Sequence, residues 1–438
     1  MKTRATRQLP LEMNPPDSAA ELAQWKEGKL STLLERTEQR DPVHLGSQFC
    51  YIDVSAVSRE TLSVQKYAVL NTSEAPSRAR KLVREGDVIF ATIRPYLKQI
   101  AKVPEHLDGQ ICSTAFCVLR ANPSIADSDF IFQAVSSDSF VQKVCEFQTG
   151  SNYPAVSDNV IKEQRIVIPP LPEQKRIASV LATVDEVIAA TDAVIEEISR
   201  IRVDLLKIIF SEGIGSHKTA NTSIGMIPSH WKEVPLKKIC LSSAYGPRFS
   251  SDCYSADGNI ALMRTTDLEE NGIIHYEAFP FASLDEPIFR DHFLIENDLV
   301  ISRSGTCGIA AIFKGFSIPV LPVAFLIRFR LNDSVDPEYV KDYLNSPSGA
   351  KRLKTLESGG VQKNLSGTSL LQFRIPLPPL SEQRHIAAIL STVDDRLVLE
   401  RAERDRLVAL KKGLMQVLLT GKVRVPPGVA EEVAPAHA

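Results

Sequence analysis

One phrase occurs twice in this chain. Pro169–Glu186 reads PPLPEQKRIASVLATVDE and Pro378–Asp395 reads PPLSEQRHIAAILSTVDD, identical at 11 of 18 positions with a constant offset of 209 residues. A period that long lies far above the roughly 20–50 residues of a solenoid unit. It divides the chain into two similar halves in tandem, each ending in the same kind of helix.

The stretch after each copy carries helical spacing. In the first, Ile177, Leu181, Val184, Ile188, Ile195, Ile198, Leu205 and Ile209 fall on alternating steps of three and four, and Val180, Val187, Val194, Ile201 and Ile208 widen the stripe on one side. In the second the seam is Ile386, Leu390, Val393, Leu397, Leu407, Leu414 and Leu418, with Glu400 and Arg404 making its centre more polar. This is the pattern of a helix that packs along another helix. Both helices open after a proline cluster, with Pro172 or Ser381 as start signal and Glu-Gln in the first turn, and both run out near Gly213 and Gly421. A length of roughly 35–40 residues, about 55–60 Å, is expected for each, longer than a compact domain needs and suited to a spacer.

The segments before the helices are strand-like, with apolar runs such as Asp87–Ile93 and Asp298–Ser302 separated by turn clusters such as Gly246-Pro247. They align weakly: Gly86-Asp87-Val88-Ile89 faces Asn297-Asp298-Leu299-Val300, and the two diverge between such anchors. The expected fold class is therefore α+β: two similar mixed α/β domains, each followed by a long helix, the two helices pairing as an antiparallel coiled coil.

At 438 residues, 44% hydrophobic and 24% charged, the chain has the length for two to four domains and ordinary globular composition. It holds no run of 18 apolar residues, and its charged N-terminal stretch lacks the apolar core of a secretory signal, so a cytoplasmic protein with no membrane partner is expected. Seven cysteines without a Cys-x-x-Cys pair read as reduced thiols. The net charge of −2 gives no global sign of nucleic-acid binding, but Arg78, Arg80, Lys81, Arg84, Arg94, Lys98 and Lys102 form a local basic run.

Motifs of catalysis are missing from the sequence. It contains no phosphate-binding Gly-x-x-x-x-Gly-Lys-Ser/Thr, no His-Glu-x-x-His and no Gly-x-Ser-x-Gly. Asn14-Pro15-Pro16 resembles the string with which adenine-methylating enzymes grip a flipped base, but Asp17 stands where an aromatic belongs and no glycine-rich cofactor loop accompanies it. A non-enzymatic role is expected.

Taken together, the chain resembles the specificity subunit of a type I restriction-modification system. The resemblance rests on Pro169–Gln174 and Pro378–Gln383, each leading into Ile-Ala-x-x-Leu-x-Thr-Val-Asp. In the second half it rests also on Ile227-Pro228-x-x-Trp231, Tyr245-Gly-Pro-Arg248, Ala261–Leu268 and Gly359–Ser366. In the first half, Trp25 and Lys26 are the only echo of the Ile-Pro-x-x-Trp opening, and Thr149–Tyr153 stands where the second half has its Gly-Gly-x-Gln loop.

The resemblance implies target-recognition domains at residues 1–165 and 216–374 and spacer helices at 166–215 and 375–425; the prolines and alanines at 426–438 lead to the expectation of a disordered tail there. It implies that each domain reads half of a split site in double-stranded DNA. Two methyltransferase subunits would dock on the helices, and restriction/translocase subunits would join them. No cofactor is expected on this chain. S-adenosylmethionine would belong to the methyltransferase, and ATP and Mg to the restriction subunit. The alternative class is a coiled-coil adaptor that joins proteins without reading DNA; a stand-alone modifying enzyme and a type II-like relative are the other readings. Base edges call for Arg, Lys, Asn and Gln, and phosphates for Lys, Arg and Ser. The DNA-binding candidates are Arg94, Tyr96, Lys98, Asn152 and Tyr153 in the first domain, and Arg248, Arg264, Arg303, Gln362, Lys363 and Asn364 in the second. Glu173, Gln174, Glu382 and Gln383, at the helix starts, are the candidates for partner binding.

Overall fold

The computed structural model describes residues 25–215, 218–359 and 363–426. Asn14-Pro15-Pro16, Gln362 and the tail from residue 427 lie outside the described residues. The chain forms two compact units that do not follow its order. One takes the residues up to 192 and those from 403; the other takes residues 193–402. Each unit therefore owns one domain and a part of both long helices.

In the first unit, Val88–Ala91 runs between Phe116–Leu119 and Ile100–Lys102 in an antiparallel sheet. All four residues of the central strand are buried, as expected of a run covered on both faces. A second sheet orders Ala68–Asn71, Gln48–Ile52, Ile111–Ser113 and Ala79–Leu82, with a parallel pair in the middle. Helices Ser128–Ser136 and Asp138–Cys145 follow, and their Phe130, Ile131 and Val135 and Phe140, Val141 and Val144 are buried.

The second unit repeats this plan with different residues. Leu299–Ser302 lies between Leu326–Leu331 and Ala310–Ile312, with Cys240–Tyr245 added on the outer edge. Its mixed sheet centres on Ile260–Met263, parallel to Val320–Pro322 and antiparallel to Phe281–Ala282. Helices Pro337–Asn345 and Pro347–Lys354 follow. The anchors match in detail. Asp127, Ser137 and Ser157 accept from the backbone N–H of Phe130, Phe140 and Val160 as N-caps. Asp336, Ser346 and Ser366, each 209 positions on, cap Tyr339, Gly349 and Ser369. Asp87 is buried against Arg120 and Asp298 against Arg330, behind Gly86 and Asn297 with φ of 80° and 69°. Those two turns need a left-handed residue, which glycine and asparagine supply with least strain.

The long helices span Leu171–Glu212 and Leu380–Leu418, 42 and 39 residues. They pack antiparallel within each unit. In the first, Ile177 and Leu181 share a core cluster with Leu414 and Leu418, Asp185 meets Lys411 at 2.6 Å, and Asp192 meets Arg404 at 3.2 Å. In the second, Leu206, Ile209 and Phe210 share a core with Ile386 and Leu390, and Arg202 pairs with Asp394. The widening positions expected on the seam do not all join it: Val187, Val194, Ile201 and Ile208 are 42–51% exposed, while Arg202 and Leu206 are buried. A strict seven-residue repeat drifts about 20° per heptad around a straight helix, so this second row turns away from the contact.

The first helix ends directly before a glycine with positive φ, Gly213 at 78°, and the second gives way to a turn that reaches Gly421 at 74° three residues on. At Gly421 a Cβ would stand 2.9 Å from the Trp25 ring, so close approach as well as conformation excludes a side chain there.

Candidate nucleic-acid interface

The Glu-Gln of the repeated phrase joins each domain to its helix. Gln174 is buried; its Oε1 accepts from the Asp127 N–H at 3.0 Å, and its Nε2 donates to the carbonyls of Pro169 and Ile125 at 2.9 and 3.1 Å. Gln383 does the same with Asp336 at 2.9 Å, Pro378 at 2.9 Å and Ser334 at 3.4 Å. A glutamine fits because one amide must accept from an N–H and donate to carbonyls at once.

The neighbouring glutamates hold the tryptophans: the Trp25 indole donates to Glu173 at 2.9 Å and the Trp231 indole to Glu382 at 3.0 Å. Trp25 and Lys26 are thus the first domain's counterpart of Trp231 and Lys232, as the strand pairs Lys26–Lys29 with Arg165–Ile168 and Lys232–Pro235 with Arg374–Leu377 confirm. Burial alone raises the Glu173 carboxyl, but the Arg424 guanidinium at 2.6 Å and the Trp25 N–H outweigh it and hold the acid below its ordinary range. The side chains expected to meet partner subunits are therefore engaged inside the chain, where they fix each helix to its domain.

One step along, each unit has a polar node where its domain meets the helix pair. In the second, Arg202 bonds Asp394 and reaches Asp342 at 3.3 Å. In the first, Lys411 bonds Asp185, which accepts from Gln133 at 2.9 Å. The positions correspond at the 209-residue offset: 202 to 411, 185 to 394 and 133 to 342. Asp342, 2% exposed, is pushed up to about 6 by burial, which the cations of Lys341 and Arg202 only partly offset.

The structure sorts the DNA-binding candidates. In the first domain it brings Arg94, Asn152 and Tyr153 together. The Arg94 backbone N–H donates to Pro154 at 2.7 Å, its guanidinium to the Asn152 carbonyl at 3.3 Å, and the Tyr153 ring is 73% exposed. Tyr96, 51% exposed, is on the same short turn, Pro95–Leu97.

Lys98 is otherwise engaged. Its ammonium bonds Asp138 and the Ser136 carbonyl, and Asp138, which also binds Lys412 at 2.6 Å, is held below the ordinary range by Lys412 and Lys98. The basic run dissolves in the same way: Arg80, Lys81, Arg84 and Lys102 meet Asp41, Asp158, Glu38 and Asp129. Such ion pairs neutralise a field that the sequence alone would count as positive.

In the second domain Arg264 grips the buried Asp267 at 2.7 Å and the Ala278 carbonyl at 2.8 Å, a clamp within its own fold. Arg303, Lys363 and Asn364 meet where Asn364 bridges both Ser304 and Ser358. The first domain has the matching pairings of Ala155 with Ile93 and Thr149, so Thr149–Ala155 is the counterpart of residues 358–364. Arg248 is exposed on the loop after Cys240–Tyr245. Tyr245 is not among the DNA-binding candidates of the sequence, yet Arg303 lies over its ring at 4.7 Å. Its signal was an aromatic ending a strand just before Gly246, where a Cβ would come within 2.0 Å of the Val323 carbonyl.

This architecture defines a class of scaffold: a duplicated recognition-type domain carried on a shared antiparallel helix pair, with a polar, aromatic-bearing loop junction in each copy. The chain belongs to the family described as the type I restriction modification DNA specificity domain, whose pattern matches residues 66–200 and 228–408, and it is built as a specificity subunit with two target-recognition domains. It is similar to the MjaVIII type I restriction enzyme specificity subunit of Methanocaldococcus jannaschii, 27% identical over 331 residues, 72% of this chain and 75% of the relative. The putative MjaX specificity subunit of the same organism is 28% identical over 395 residues, 85% and 86% of the two chains. A solved chain described with the complex assembly and conformational transition of the type I R-M system superimposes with a TM-score of 0.59 at 27% identity, covering 93% of this chain and 99% of that one. The type I S subunit from M. genitalium shares the fold at 16% identity, with a TM-score of 0.54 and coverage of 94% and 98%. Among the described residues no helix is long and apolar enough to cross a membrane.

Proposed function

We propose that each domain reads one half of a split sequence in double-stranded DNA through its loop junction, Arg94, Asn152 and Tyr153 in the first and Arg303, Lys363 and Asn364 in the second. The observation that carries this reading is a matched scaffold bearing unmatched edges. The caps, latches and helix starts recur at a fixed offset, whereas the residues at the junctions differ, as an asymmetric target requires. Half-sites in the major groove lie about one helical turn, roughly 34 Å, or more apart, and helices of about 60 Å have the length to serve as the spacer.

The exposed row Val194, Ile201 and Ile208 is the docking surface proposed for a methyltransferase subunit, since apolar side chains at heptad spacing are built to pack against another helix. Recognition is this chain's contribution, in the cytoplasm and without catalysis. S-adenosylmethionine would be bound by the methyltransferase subunits, and ATP and Mg by restriction/translocase subunits. Mapping adenine methylation in cells that carry the methyltransferase, with and without this chain, tests the reading. A split motif modified on both strands is expected only with the chain. An identical methylation pattern in both strains, with a methyltransferase proven active beside another specificity subunit, would refute it.

A further inference from the structure

Two arginines, one per domain, share an unusual state. The Arg94 guanidinium lies 5.1 Å from the centre of the Tyr153 ring and that of Arg303 4.7 Å from the centre of Tyr245, and the Nε of each is buried without a hydrogen-bond partner. A buried donor that forfeits its bond to water is rare enough to ask for a reason. Among the described residues two further arginines stack on rings, and both are tied down: Arg352 bonds the Tyr343 hydroxyl and the Arg374 carbonyl, and Arg424 bonds Glu173. Arg328, the other arginine with an unpaired Nε, donates through both of its remaining nitrogens and is 4% exposed. Among the described residues, Arg94 and Arg303 alone combine a stack, an unpaired Nε and only partial burial.

The two stacks are not copies of one inherited contact. By the backbone pairings, Arg303 corresponds to Thr92, because Leu365 donates to Arg303 and Val156 to Thr92. Tyr153 comes from the loop Thr149–Ala155 and Tyr245 from the end of an outer strand. Different positions thus build the same arrangement at the same junction, which favours selection for what it does. Arg94 also holds a left-handed backbone, φ 49° and ψ 56°, as Lys98 does at the other end of the same turn. The ring platforms are braced: the Tyr245 hydroxyl accepts from the Gly367 N–H at 2.6 Å, and Thr149 and Ala155 close the Tyr153 loop with two bonds of 3.0 Å.

Stacking fixes the plane of a guanidinium and sets the direction of its outer N–H groups; in Arg94 one of these also donates to the Asn152 carbonyl at 3.3 Å, a contact that base recognition would share or replace. The planar fork matches a phosphate as well as the O6 and N7 edge of guanine, but only at guanine does a fixed fork direction discriminate between base pairs. We infer that Arg94 and Arg303 are the guanine-reading side chains, one in each half-site, with Tyr153 and Tyr245 as the rings that aim them. This rests on the DNA-recognition reading above and goes beyond it by assigning one base type in each half.

The test uses the full chain assembled with its methyltransferase and a duplex library varied at each specified position. The wild-type complex should require a G·C pair in both halves. Arg303→Ala should lose about 10–100-fold of its discrimination at one G·C pair in one half and leave the other half unchanged. Arg94→Ala should do the reverse. The unaffected half reports that the complex is folded. Arg303→Lys keeps the charge without the fork and should relax the same position, and it serves in place of the alanine variant if that one fails to assemble. Tyr245→Leu should weaken discrimination at that same pair more than Tyr245→Phe, which keeps the ring but loses the hydroxyl that braces it. A uniform loss across all sequences with base preferences intact would make these arginines phosphate contacts and overturn the inference, as would unchanged methylation or a half-site without a G·C pair. A wild-type complex with no sequence preference at all would instead sink the recognition reading itself.

Discussion

Replacing Gln383 by glutamate changes one atom at the centre of the second domain's latch. The carboxylate can still accept from the Asp336 N–H, but it cannot donate to Pro378, which Gln383 reaches at 2.9 Å, or to Ser334 at 3.4 Å. One buried carbonyl left without its donor costs about 1–3 kcal/mol. The acid, 1% exposed at this position and facing carbonyl oxygens, resists ionisation as well. A folded-state pKa about two units above the unfolded glutamate adds about 3 kcal/mol at high pH. The total at pH 8 is therefore on the order of 4–6 kcal/mol. Because the folded pKa is raised, the ionisation part of the penalty vanishes below about pH 4.3, where the acid is protonated in both states, and grows as pH rises to about 6.5.

The chain has two tryptophans, Trp25 and Trp231, one at each latch, so urea unfolding followed by fluorescence in a Trp25→Phe background reports the second unit. Gln174→Glu in a Trp231→Phe background should behave alike in the first unit. A loss below about 1 kcal/mol at pH 8, or a loss that does not shrink on acidification, would show that the paired amide is not what holds helix to domain.

Other expectations concern separate sites. Asp342 has a carboxyl raised to about 6, so the second unit should lose on the order of 2–3 kcal/mol as pH rises from about 4 to about 6; Asp342→Asn should flatten that part of the pH–stability curve measured by denaturant titration. Gly246→Ala places a methyl 2.0 Å from the Val323 carbonyl and should destabilise the second unit by about 2–4 kcal/mol in thermal unfolding, with the Tyr245 strand end displaced. Changing Val194, Ile201 and Ile208 together to serine should leave the melting temperature nearly unchanged, because all three are exposed, while weakening association with the methyltransferase at least tenfold in sedimentation. Lys98→Ala, which removes a partly exposed ion pair, should cost about 1 kcal/mol or less and leave the methylated motif as it was.

The large-scale plan was legible because identical local physics was written twice. The glutamine, the capping Asp and Ser residues and the Asp-bearing turns each perform a single backbone-satisfying task, and such tasks tolerate few residue types. Helix existence followed from apolar spacing, but the choice of face did not. Ile201 and Arg202 are neighbours, and only packing by Tyr339, Asp342 and their helix decided that the arginine goes in and the isoleucine stays out. The interface was the least legible part. Arg264, Lys98 and Arg303 look alike as cationic residues beside strands, and what separates them is a carboxylate within reach of the first two. Those carboxylates are three residues away for Asp267 but forty for Asp138, and no local pattern announces the longer reach.

The division of the helices between units sets a timetable for synthesis. Residues 193–402 are contiguous, so the second unit has all its parts once residue 402 has emerged. The first unit has most of its chain much earlier, yet its helix stripe and its Glu173 latch wait for Leu414, Leu418 and Arg424, the last of these 251 residues downstream. At the usual 5–20 residues per second, the gap from residue 192 to residue 424 is on the order of ten to fifty seconds, during which Ile177 and Leu181 lack their covering side chains. The domain made first is thus completed last, and for that interval it is the one open to chaperones, proteases and other nascent copies.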